Sequence, residues 1–279
     1  ARNVTTGALS GTSTIATGTT PWGICISADG ASVYTVNYGS NTVSIFARNV
    51  TTGALSGTST IATGTQPMGI CISADGGSVY TANYGSNTTS IFARNTSTGA
   101  LSGTSTIATG LAPRYPCISA DGANVYVTNY DGYTVSIFAR NVATGALSGT
   151  STIATGSGPM GICISADGKS VYTANYVGTT TSIFARNTST GALSGTSTIA
   201  TGTTPWGICI SADGISVYVA NIGSSTVSIF ARNASTGSLS GTSTIATGSG
   251  ARPICISPDG KSVYAANFSD STVSIFTRS

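Results

Sequence analysis

From residue 23 onward, short runs of alternating apolar and polar residues are separated by turn residues, and nothing repeats with the 3.6-residue period of a helix. Gly23-Ile24-Cys25-Ile26-Ser27 predicts a strand, A, closed by the turn Ala28-Asp29-Gly30. Val33-Tyr34-Thr35-Val36-Asn37-Tyr38 is rich in β-branched and aromatic residues and predicts strand B. Gly39-Ser40-Asn41 turns the chain into strand C, Thr42 to Ala47, and Asn49-Val50-Thr51-Thr52-Gly53 leads to strand D within Ala54 to Thr63. Strand D is dominated by Ser and Thr, which suits an exposed edge that must avoid sticky side chains.

This four-strand unit recurs. Arg2, Arg48, Arg94, Arg140, Arg186 and Arg232 each precede Asn at a constant spacing of 46, with Arg278 one step further on. Four strands per unit and six units predict an all-β fold, a six-bladed β-propeller of four-stranded antiparallel blades, forming one domain over residues 1–279. The chain opens within a strand-D pattern, Val4 to Thr17, and ends within a strand-C pattern, Val273 to Phe276. The N-terminal strand D is therefore expected to join the C-terminal strands A–C and close the ring.

Ile256-Ser257-Pro258-Asp259-Gly260-Lys261-Ser262-Val263-Tyr264, and Val125-Tyr126-Val127-Thr128-Asn129-Tyr130 with Thr134-Val135-Ser136-Ile137-Phe138, resemble the YVTN β-propeller repeat. The resemblance covers the whole chain. It implies a propeller of the kind found in prokaryotic surface proteins and lactonase-like enzymes, and hence an extracellular or cell-surface setting. Fold alone does not choose between binder and enzyme. Catalytic relatives are expected to rely on polar and charged residues that include His and Glu.

Composition bears on that choice. The chain has no His, and all eight acids are Asp. This excludes a Ser-His-Asp triad, His-ligated zinc and a paired-Glu glycosidase site. A net charge of +3 over 279 residues is too weak to imply a nucleic-acid partner. No apolar run approaches the ~18 residues of a membrane-spanning helix, so no membrane insertion is expected.

Most charged residues are copies of one position. Asp29, Asp75, Asp121, Asp167, Asp213 and Asp259 precede Gly between two strands, where Asp accepts turn N–H groups and Gly takes positive φ. The repeated Arg is expected to tie neighbouring blades through Asp or a carbonyl. Cys25, Cys71, Cys117, Cys163, Cys209 and Cys255 share one innermost-strand position, and their equivalent places on fanning blades exceed the ~7 Å reach of a disulfide. They read as buried packing residues, with no metal site and no cofactor expected.

The repeats differ in the loops before strand A and between B and C, which emerge together and suit a binding face. At the start of strand A the six units read Trp22, Met68, Arg114, Met160, Trp206 and Arg252. The units that carry Arg there also carry the only unrepeated acids, Asp131 and Asp270. One reading is an Arg–Asp surface pair within each blade, worth ~0–1 kcal/mol. The other is a channel-mouth ligand site. Arg114 and Arg252 would hold a small anion, Trp22 and Trp206 would offer stacking surface for a carbohydrate, and Asp131 and Asp270 would lie beside them. The expectation is a monomeric, non-catalytic binding or scaffold propeller. The alternatives are a lactonase-like hydrolase, with Asp131 or Asp270 as base, or a recently amplified or engineered symmetric repeat without a selected ligand.

Overall fold

The alternating pattern produces twenty-three strands in six successive antiparallel sheets, and no helix occurs among the described residues. The protein is an all-β, six-bladed propeller. The structure, a computed structural model, describes residues 3–11 and 13–278, so the expected tie from Arg2 lies outside the described residues. Its contacts divide it into two compact units, Gly11–Thr152 and Arg2–Ser10 with Ile153–Ser279.

In the first unit, blade one is β1 (Pro21–Ile26), β2 (Ser32–Asn37), β3 (Thr42–Arg48) and β4 (Leu55–Ala62). Blade two is β5 (Pro67–Ile72), β6 (Ser78–Asn83), β7 (Thr88–Arg94) and β8 (Leu101–Ala108). Blade three is β9 (Pro113–Ile118), β10 (Asn124–Asn129), β11 (Thr134–Arg140) and β12 (Leu147–Ala154), whose last two residues fall in the second unit. In blade two the second strand, β6, is buried on both faces, because blade one covers one side and blade three the other. Tyr34, Val36, Val43, Val79 and Phe92 form one such core between blades one and two. Each fully buried side chain of this size contributes roughly 1.5–3 kcal/mol. The fourth strand is solvent-facing along its Ser/Thr run, as expected of an outer edge.

The second unit repeats the plan. Blade four is β13 (Pro159–Ile164), β14 (Ser170–Asn175), β15 (Thr180–Arg186) and β16 (Leu193–Ala200). Blade five is β17 (Pro205–Ile210), β18 (Ser216–Asn221), β19 (Thr226–Arg232) and β20 (Leu239–Ala246). Blade six has three strands among the described residues, β21 (Ala251–Ile256), β22 (Ser262–Asn267) and β23 (Thr272–Thr277). The N-terminal stretch expected to supply its fourth strand forms a turn instead. The Asn3 N–H donates to the Ala8 carbonyl and the Gly7 N–H to the Asn3 carbonyl, both at 2.8 Å. The Gly7 carbonyl accepts from the Tyr264 hydroxyl at 2.9 Å.

Repeated polar residues do the jobs expected of them. Asp29 Oδ1 accepts the Ala31 N–H at 2.9 Å, and Gly30 sits at φ 68°, which closes the A–B turn. Arg94 reaches back to Asp29 at 3.4 Å and Arg140 to Asp75 at 3.0 Å; in the second unit Arg232 reaches Asp167 at 3.0 Å and Arg278 reaches Asp213 at 2.6 Å. Each of these arginines ties its blade to the one before. The hydroxyls of Tyr34, Tyr80 and Tyr172 point the other way, donating to the carbonyls of Gly99, Gly145 and Gly237 in the third-to-fourth-strand turn of the next blade. The six cysteines are free thiols. Burial pushes the Cys25 thiol up to about 12, against a weaker opposing pull from Arg94, so it packs as a neutral group.

Candidate functional site

The first strand of each blade begins two residues earlier than its sequence pattern indicates, and this extension shapes the site. In blade three Pro113 pairs with Asn129 and Pro116 with Val127, so Arg114 and Tyr115 together oppose Thr128. The extra residue is a β-bulge, a feature that re-aims a side chain without breaking the sheet. The Tyr115 N–H donates to Thr128 Oγ1 at 3.1 Å and holds the bulge in place. Blades one, two, four, five and six carry a register shift at the same place.

The bulge directs Arg114 between two aromatic rings. Its guanidinium carbon lies 4.3 Å from the centre of the Tyr84 ring and 4.5 Å from that of Tyr130. Tyr84 follows β6 of blade two, and Tyr130 follows β10 of Arg114's own blade. Two ring faces stabilise the cation and fix its plane, each by roughly 0.5–2 kcal/mol. Of the five N–H donors a guanidinium carries, one reaches the Met68 sulfur at 3.8 Å, a weak acceptor. Arg114 Nε is buried with no hydrogen-bond partner among the described residues. No ion pair forms between Arg114 and Asp131 among the described residues, which corrects the expected surface pair for blade three. The guanidinium gains more from two flat rings than from an exposed carboxylate that solvent already satisfies.

Close backbone approach supports this arrangement. A Cβ on Gly69 would lie 2.6 Å from the Arg114 carbonyl oxygen and 2.8 Å from Pro116 Cδ, so glycine lets β5 run tightly beside β9. Trp22 also belongs to the first unit; it stacks on Tyr38 at 6.4 Å and 52° and is 37% exposed.

A related stack occurs in the second unit. The Arg252 guanidinium lies 3.6 Å from the Phe268 ring centre and 5.1 Å from that of Trp206. Trp206 in turn meets Tyr176 edge-on at 5.8 Å and 78°. Asp270 plays a structural part, since its carboxylate accepts the Ser249 N–H at 2.6 Å and anchors the loop that leads into β21. Asp131 is exposed, one residue beyond Tyr130.

Apart from Trp206, the rings that hold Arg114 and Arg252 escape a reading of the sequence because alternation absorbs Tyr38 and its equivalents into strand B. A signal is present nonetheless. The residue after that strand is Tyr38, Tyr84, Tyr130, Tyr176, Ile222 and Phe268 in the six repeats, aromatic in all but one.

The matches to known proteins bear on what such a site serves. The model of the family described as "Lactonase, 7-bladed beta-propeller" matches residues 57–160 and 152–250. The chain belongs to this lactonase family. It has six sheets where the family description names seven blades. A structure from Bacteroides fragilis, provisionally described as a 6-phosphogluconolactonase, aligns with TM-score 0.83 and 27% identity over 93% of this chain and 80% of its own. A similarly described protein from Bacteroides uniformis gives 0.85 and 25%, over 95% and 83%. The periplasmic gluconolactonase of Pseudomonas aeruginosa shares the fold at TM-score 0.86 and 19% identity, over 100% and 86%. Among curated proteins none matches. Family membership overturns the expectation of a non-catalytic scaffold. The absence of His and Glu excludes particular catalytic constellations, but not lactone hydrolysis, which requires a carbonyl-polarising donor and a base for water.

Proposed function

We propose that this lactonase-family chain is a hydrolase that opens a sugar lactone, with repeats of the YVTN type. The observation that carries the reading is the stacked Arg114 guanidinium, held flat by Tyr84 and Tyr130 and left without a carboxylate partner among the described residues. Its free N–H groups suit a carbonyl oxygen that gains negative charge, and then the carboxylate of the opened product. Asp131, exposed next to Tyr130, would take a proton from water as the water oxygen adds to the carbonyl carbon. Collapse of that adduct breaks the ring C–O bond. The departing oxygen takes the proton, leaving a hydroxy acid. The Arg252 stack, with Trp206, is a second place for an anionic or carbohydrate ligand, and Trp22 offers further stacking surface.

The test is lactone opening followed in a weakly buffered pH assay with gluconolactone and 6-phosphogluconolactone. Turnover above the spontaneous rate is expected. Arg114→Ala should lower kcat/KM by roughly 10²- to 10³-fold, as loss of an oxyanion donor does. Asp131→Asn should lower kcat by roughly 10²-fold or more. A wild-type rate equal to buffer with every lactone would refute the proposal.

A further inference from the structure

Two blade interfaces carry buried polar atoms that no protein group satisfies. In the first unit, Thr89 on β7 pairs with Ala82 on β6, so their side chains share one face of blade two. Ala82 belongs to one core cluster with Val125 and Val127 of β10, and Asn129 follows Val127 by two residues, on the same face of blade three. Thr89 and Asn129 therefore look into one interface from opposite sides. Both residues are fully buried, and neither Thr89 Oγ1 nor Asn129 Oδ1 has a hydrogen-bond partner among the described residues. The second unit repeats the arrangement between blades four and five. Thr181 pairs with Ala174, which shares a cluster with Val217 and Val219, and Asn221 follows Val219 by two residues. Thr181 Oγ1 and Asn221 Oδ1 are again buried without a partner among the described residues.

The interface between blades one and two shows what differs. Val43 stands there in place of Thr89 and pairs with Val36 rather than with an alanine. On the facing side Thr81 stands in place of Val127 and donates to Asn83 Oδ1 at 3.0 Å. The interface between blades two and three thus has one donor fewer beside the asparagine and one hydroxyl more across from it. Ala82 is also two carbon atoms smaller than Val36, which frees room on the order of the ~30 Å³ that a water occupies. Asn37 and Asn267 Oδ1 also lack a donor among the described residues, but Asn267 meets Val227 instead of a threonine, so the facing pair is particular to the two interfaces.

We propose that each of these two interfaces binds one buried water molecule, which donates to the asparagine oxygen and accepts from the threonine hydroxyl. The pair suits water because it offers one oxygen that only accepts and one hydroxyl that can donate. Dry, both atoms would carry an uncompensated desolvation cost. The water between blades two and three also has a structural consequence. Asn129 donates to Thr134 and Ser136 at 2.9 Å each, and Ser136 accepts the Gly110 N–H at 3.1 Å. The water therefore ties blade two to the loop that leads into Arg114.

Thermal unfolding of the whole chain tests this through the sign of one substitution. Thr89→Val should lower the melting temperature by roughly 2–4 °C, because the water loses a holder and Asn129 stays unpaired. A dry interface gives the opposite sign, since removal of an unpaired buried hydroxyl stabilises. In a Val127→Thr background Asn129 gains the donor that Asn83 has, and Thr89→Val should then cost nothing. Both substitutions install residues that blades one and two already carry, and circular dichroism should show every variant folded. A melting temperature unchanged or raised by Thr89→Val in the parent, or lowered equally in both backgrounds, would overturn the proposal. A crystal structure of the parent at about 1.5 Å should show an ordered water about 2.7–3.2 Å from both side-chain oxygens. Empty density at both interfaces, or an ion about 2.3–2.6 Å from six or more oxygens, would overturn it as well.

Discussion

The inter-blade arginine allows a quantitative prediction, because the chain contains its own control. Arg140 has a side chain only 1% exposed and donates four times: to the Tyr80 hydroxyl at 2.7 Å, to Asp75 and Ser78 at 3.0 Å each, and to the Gly122 carbonyl at 3.1 Å. Burial disfavours its charge, but Tyr80 and Asp75 outweigh that and hold its pKa above the ordinary value. Arg48 is the equivalent residue at the end of β3, yet its one side-chain hydrogen bond among the described residues runs to its own blade, at 3.0 Å to the Gly30 carbonyl. Arg140→Ala strips three partners on the neighbouring blade of their donor, and breaking a buried charged network of this kind costs about 3–5 kcal/mol. Arg48→Ala forfeits one half-buried bond, about 1 kcal/mol. Urea unfolding followed by circular dichroism should give a midpoint shift at least three times larger for Arg140→Ala, at unchanged slope. Equal shifts for the two variants would show that the clamp does not hold the blades together.

Other outcomes follow from the same geometry. Asp167 is held down at about 2: burial pushes its pKa up, but hydrogen bonds from Ser165, the Lys169 N–H and Arg232 prevail. A lowered carboxylate stabilises the fold above its unfolded pKa and loses that contribution as pH falls through the folded value, so thermal stability should be flat from pH 7 to 5 and drop between about 4 and 2. After allowance for solvent screening, Asp167 accounts for roughly 1 kcal/mol of that drop, and Asp167→Asn should remove its share. Gly69→Ala places a methyl group 2.6 Å from the Arg114 carbonyl oxygen; it should destabilise the chain by about 1–3 kcal/mol and weaken anion binding at Arg114, measured by calorimetry. Cys255 is the one exposed cysteine, so a thiol reagent at pH 8 should label it first. Cys25 and Cys71, whose thiols burial pushes far up, should react only on unfolding.

Strand order, turn chemistry and the Arg–Asp ties were legible in the sequence because each rests on local rules repeated six times. Val33 to Asn37 reads as a strand from its β-branched and aromatic residues, and Asp29-Gly30 reads as a turn. The position of the N-terminal segment was not legible. Its sequence fits a fourth strand of any blade, and only the hydrogen bond from Tyr264 decides where the turn at Gly7 sits. The site was half legible. Arg114 stood out as a departure from the repeat, but Tyr84 and Tyr130 were absorbed into strand B because alternation does not distinguish an aromatic at a strand end from the strand itself. The bulge between Pro113 and Pro116 leaves no trace in alternation, since inserting one residue shifts the period only locally. The expectation of no catalysis failed for a different reason. It rested on residue types that were absent, and membership of the lactonase family, which those absences do not exclude, overturned it.

The outer strands β4, β8, β12, β16 and β20 carry the same eight residues, Leu-Ser-Gly-Thr-Ser-Thr-Ile-Ala. During folding, a third strand such as β3 therefore meets several chemically indistinguishable partners, and only proximity along the chain tells them apart. The correct partner of β3 lies across a six-residue connection and the next candidate is 46 residues further. Loop-closure entropy favours the near one by roughly 2 kcal/mol, about thirtyfold. Fidelity of assembly thus depends on closing each short hairpin before distant copies can compete. Dilution should protect refolding, and crowding by other molecules of the same chain should erode it.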